Sequence, residues 1–107
     1  MEDEKGRITI LRIPGYESSF IITGEITREN GLYYASVQEI DPFLLGEGTT
    51  PESAQRRLEK SISDKINYLK QAETAGELTP AKTTLLSKLT RRFEPVKTIN
   101  KRSQAQI

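Results

Sequence analysis

Hydrophobic and polar positions alternate through two stretches in the first third of the chain. Phe20, Ile22, Gly24 and Ile26 share one parity, and Ile21, Thr23, Glu25 and Thr27 share the other. One mostly apolar face at period two predicts a half-buried strand over 19–28. Leu32 to Glu39 alternates again, with Tyr33, Ala35 and Val37 together. Asn30-Gly31 lies between them and favours the positive φ angles of a tight hairpin, so the two strands should pair antiparallel. An earlier β-branched run, Arg7 to Ile13, reads as a first strand closed by the turn signal Pro14-Gly15. Ile40 to Gly48 is less regular. Asp41-Pro42 bends the chain, and Phe43-Leu44-Leu45 extends the third strand or forms a small additional one. Gly46 and Gly48 then break it.

The period changes after Thr50. Threonine is a good N-cap and Pro51 suits the first helical position. From there to about Glu73, Ala54, Leu58, Ile62, Ile66 and Leu69 recur at three- and four-residue spacing, forming one apolar stripe. Gly76 marks the stop. Thr79-Pro80 repeats the start signal, and Leu85, Leu86, Leu89 and Phe93 line one side of a second helix from Pro80 to about Phe93. Two uses of that side are open: a dimer contact, or packing on its own sheet. Glu94-Pro95 ends the helix, and a short strand at 96–99 is a further expectation. The fold class expected is α+β. A three-stranded antiparallel sheet (β-β-β-α) is backed by an amphipathic helix, and a C-terminal helix follows. Residues 1–75 form the main unit, 76–93 a helix packed on it or on a partner, and 94–107 a basic flexible tail.

Composition narrows the chemistry. The 107 residues make one domain, too small to bury both a core and a deep substrate pocket. There is no cysteine and no histidine. Disulfides, thiolate metal sites, thiol nucleophiles and imidazole bases are therefore excluded. We expect no enzyme, no cofactor, no metal and no catalytic residue. No apolar run reaches membrane-spanning length. The acidic start Glu2-Asp3-Glu4 is unlike a signal peptide. A cytoplasmic protein is the expectation.

Net charge is +1 but unevenly spread. Residues 1–81 hold 9 basic and 14 acidic side chains, and residues 82–107 hold 7 basic and 1 acidic. Such asymmetry points to partners of opposite sign. The carboxylates Glu39, Asp41 and Glu47 surround the run Phe43, Leu44, Leu45, and an acidic rim beside exposed apolar residues suits a basic protein partner. The basic set Lys88, Arg91, Arg92, Lys97, Lys101 and Arg102 could contact phosphates of DNA or RNA, or simply solubilise the tail. Two other readings are weak. Gly46 to Pro51 places glycines before a helix N-terminus, as anion sites do, but at the spacing of no phosphate-binding fingerprint. Tyr33 and Tyr34 near Arg28 could stack bases, yet adjacent strand residues face opposite ways.

Two stretches carry a family resemblance: Gly31-Leu32-Tyr33-Tyr34-Ala35-Ser36-Val37, and Gly48-Thr49-Thr50-Pro51-Glu52-Ser53-Ala54 opening the long helix. With the helix running on to Tyr68-Leu69, residues 20–69 resemble the HicB family of bacterial antitoxins and their stand-alone relatives. Gln38 stands where that pattern has proline, Asp41-Pro42-Phe43-Leu44 replaces its Pro-Gly-Cys loop, and Ser53 its second glutamate. The resemblance implies a three-stranded sheet backed by a helix and a protein-binding module that masks a small mRNA-cleaving toxin; on this reading the basic C-terminal segment mediates homo-oligomer formation or weak DNA contact. Many members carry a C-terminal DNA-binding region. The alternative function is nucleic-acid binding through the basic C-terminal segment.

Overall fold

The computed structural model describes residues 4–96. In chain order the elements are β1 (Glu4–Ile13), β2 (Tyr16–Glu29), β3 (Leu32–Val37), β4 (Asp41–Gly48), α1 (Pro51–Thr74), α2 (Pro80–Arg92) and β5 (Phe93–Pro95). The class is α+β, but among the described residues the antiparallel sheet has five strands where the pattern predicts three. β1, β2, β3 and β4 lie side by side in that order, and β5 pairs with the first residues of β2. The additional strands are β4, unbroken through Gly48, and β5, which forms at 93–95. Residues 97–99 lie outside the described residues.

Asn30 (φ 53°) and Gly31 (φ 81°) make the two-residue turn that sets the β2–β3 register, with Glu29 opposite Leu32. The β1–β2 register slips. Ile10 faces Ile22, but Arg12 faces Glu17, so Leu11 alone opposes four residues, 18–21. The Ser18 hydroxyl holds this bulge by accepting from the Phe20 N–H and donating to the Phe20 carbonyl. The bulge breaks the period-two phase. Phe20, expected beside Ile22 and Gly24 on the buried face, is instead exposed.

The stripe on α1 packs as its spacing requires. Ala54, Leu58, Ile62, Ile66 and Leu69 are all buried, and each of the larger four contributes about 2 kcal/mol by burial. Polar contacts fix the helix at the β1 side. Gln55 Nε2 donates to the Thr9 carbonyl (3.0 Å), Ser63 Oγ to the Pro14 carbonyl (2.6 Å), and the Tyr16 hydroxyl to Asn67 Oδ1 (2.6 Å). At the β4 side the helix backbone lies directly on the strand. A Cβ on Gly46 would fall closer than 3.0 Å to the Ala54 carbonyl oxygen and the Leu58 amide nitrogen. Gly46 and Gly48 therefore admit the helix to the strand, and β4 runs unbroken to Gly48, contrary to the local reading.

The turn between the helices ends on Gly76 (φ 74°), and Glu77 N–H donates to the Ala72 carbonyl at 2.8 Å. Leu86, Leu89 and Phe93 join the same core as the α1 stripe, with Leu85 half-buried against it. The apolar side of α2 thus packs on its own domain. Lys88 Nζ donates to the Ile40 carbonyl (3.3 Å), tying α2 to the β3–β4 turn.

Candidate functional site

β4 carries the acidic and apolar residues singled out in the sequence, and a second bulge decides how it presents them. Val37 pairs with Asp41 and Ser36 with Leu45, leaving Pro42, Phe43 and Leu44 as extra residues on β4. The Asp41 carboxylate accepts the Phe43 N–H at 3.0 Å and fixes the bend. Phe43 is left 87% exposed. Regular alternation follows: Leu45 (52% exposed) and Glu47 face outward, while Gly46 and Gly48 face α1.

Leu44 is a correction. It was expected among the exposed partner-binding residues, but it is only 9% exposed and belongs to the core. The bulge sets the phase so that Leu45 takes the outward place. Glu39 is exposed in the turn that the Ile40 N–H closes on the Val37 carbonyl (3.0 Å), and Asp41 is half-buried. The rim is therefore Glu39, Asp41, Phe43, Leu45 and Glu47. The ion pairs among the described residues, Arg12–Glu17 (3.6 Å) and Lys60–Asp64 (3.0 Å), do not involve these carboxylates.

Phe43, Ile40 and Asp41 form one wall of a groove of about 320 Å³, and Ala81, Lys82, Leu85 and Lys88 of α2 form the other. A second groove of about 340 Å³ runs between Leu44 of β4 and Ser61, Asp64, Lys65 and Tyr68 of α1. The Tyr68 ring there is held by Lys82, whose Nζ donates to its hydroxyl at 2.7 Å, and lies 5.8 Å from Lys65 Nζ.

The basic set is only partly assembled. Lys88 spends a donor on the Ile40 carbonyl, and Arg92 Nη1 donates to the Lys88 carbonyl at 3.0 Å with its Nε buried and unpartnered. Arg91 is exposed. Lys97, Lys101 and Arg102 lie outside the described residues.

The anion-site reading of Gly46 to Pro51 fails on hydrogen bonding. Thr50 Oγ1 accepts the Ser53 N–H (3.1 Å) and Ser53 Oγ accepts the Thr50 N–H (3.2 Å), so a capping box occupies donors an anion would need. The base-stacking pair is also absent. Tyr33 packs against the core with the Arg28 guanidinium 5.8 Å from its ring, and Tyr34 lies on the opposite face. Among the described residues no three carboxylates gather as metal ligands, and no helix is long and apolar enough to cross a membrane. One apolar cluster had no signal in the periodicity: Leu11, Phe20 and Ile21, all exposed at the β1–β2 bulge.

No family model matches the chain, and no curated protein or solved structure matches it.

Proposed function

We propose that the chain is a protein-binding module that works as a HicB-type antitoxin, covering a small basic mRNA-cleaving protein with the β4 rim. The observation that carries this reading is Phe43. A large aromatic side chain left 87% exposed on a bend fixed by Asp41 has no role in the domain's own core. Buried aromatic anchors dominate binding energy at protein interfaces. Leu45 extends the apolar surface, and Glu39, Asp41 and Glu47 supply a negative border that forms no ion pair among the described residues. Such a border speeds encounter with a basic partner and rejects acidic ones. Masking by occlusion needs no nucleophile, base or metal, in keeping with a chain lacking cysteine and histidine.

The test is co-expression with the product of the adjacent reading frame, which this reading predicts to be a short basic protein toxic on its own. The wild-type chain restores growth against that protein and co-purifies with it. The double variant Phe43→Asp, Glu47→Lys does neither, while its thermal midpoint stays at the wild-type value. Full rescue by the folded double variant would overturn the reading.

A further inference from the structure

Among the described residues the sheet ends at β4, and none of their strands lies beside the outer edge of Leu45–Gly48, which carries backbone donors and acceptors. Resting on the docking reading above, we infer that the partner engages this edge by adding an extended strand, with basic residues at alternate positions and apolar residues between them.

Three features converge on that mode. The edge is flanked by the groove between Leu44 and Ser61, Asp64, Lys65 and Tyr68, which lies on the helix side of the strand. Side chains on the helix side of an added strand, where it runs past the Leu45 end of the edge, would enter this groove and meet Leu44 and the Tyr68 ring, so apolar residues fit there. The intervening side chains would point to the open face, beside Leu45 and Glu47. Lysine and arginine fit these places, since their stems cover apolar surface while the charged end reaches a carboxylate. Backbone bonds then supply affinity and the alternate side chains supply choice, as in other edge-strand recognition.

A second copy of this chain is a poor occupant. Unlike a lone strand, it brings its own α1. The α1 backbone sits directly over Gly46, inside the distance any Cβ would tolerate. Two β4 strands paired about a two-fold axis would lie about 4.8 Å apart. Their helices, each over its own strand, would need about 8–10 Å. The bulge at 42–44 and the absent N–H of Pro42 limit pairing at the other end, so the usable edge is Leu45–Gly48.

The probe is a capped heptapeptide alternating lysine with valine, with two N-methylated versions that block opposite sets of alternate amides. The full chain binds the parent peptide, and amide hydrogen exchange slows within Leu45–Gly48. One methylation pattern weakens binding at least about tenfold, the effect of losing one or two hydrogen bonds, and the other does not. Equal binding by both versions, protection elsewhere, or no binding of the parent peptide would overturn strand addition. A dimer of the unliganded chain with β4 amides protected would overturn it as well. The co-expression assay separates the two proposals. A complex that forms and depends on Phe43, but leaves β4 exchange unchanged, removes strand addition and leaves docking standing.

Discussion

Replacing Gly46 with alanine tests how β4 and α1 fit together. The added methyl would meet the Ala54 carbonyl oxygen, the Leu58 amide nitrogen and, at 2.8 Å, the Leu58 Cα. All three belong to helix backbone, which cannot rotate aside as a side chain can. Relief requires α1 to rise from the strand, and Leu58, fully buried at that point, would lose contacts with it. Overpacking a tight core costs about 1–3 kcal/mol, and a backbone clash belongs at the upper end, about 3 kcal/mol. At about 4 °C per kcal/mol or more for a domain near this size, the midpoint should fall by about 12 °C or more. Gly31→Ala is the control. Nothing lies within 4 Å of its Cβ position, but φ is +81°, so only local strain of about 1–2 kcal/mol applies. Thermal melts followed by circular dichroism, with urea melts to check that the m-value is unchanged, measure both variants. A Gly46→Ala midpoint at or above that of Gly31→Ala would refute the direct seating of helix on strand.

Leu44→Ala should cost about 2–5 kcal/mol in urea melts while Leu45→Ala stays within about 0.5 kcal/mol, because the β4 bulge puts the first inside and the second outside. Thr50→Ala removes the acceptor for the Ser53 N–H and should cost about 1 kcal/mol by the same assay. Phe43→Ala should leave stability within about 0.5 kcal/mol yet cost about 2 kcal/mol of partner affinity, read by calorimetric titration.

The parts legible in the sequence are those governed by local chemistry. Asn30-Gly31 set a turn that needs two positive φ angles. Thr50-Pro51 and Thr79-Pro80 marked both helix starts, and the 3.6-residue spacing from Ala54 to Leu69 identified the buried stripe. Where the reading failed, the cause was non-local. Gly46 and Gly48 look like strand breakers until a helix backbone rests on them. Phe20 and Leu44 fall on the side opposite to the expected one because each lies in a bulge, and an odd number of extra residues, three in both bulges, reverses the phase. The acidic rim could be read because charge needs no register. Its apolar centre needed the phase of β4, which only pairing with β3 sets.

The most direct measurement of the account is a hydrogen-exchange footprint of the chain with and without the product of the adjacent reading frame, which the account predicts to be a small basic protein. The account predicts slowed exchange over Glu39–Gly48 on complex formation, abolished by Phe43→Asp. Protection confined to α2 and β5, or a complex indifferent to that substitution, would contradict it.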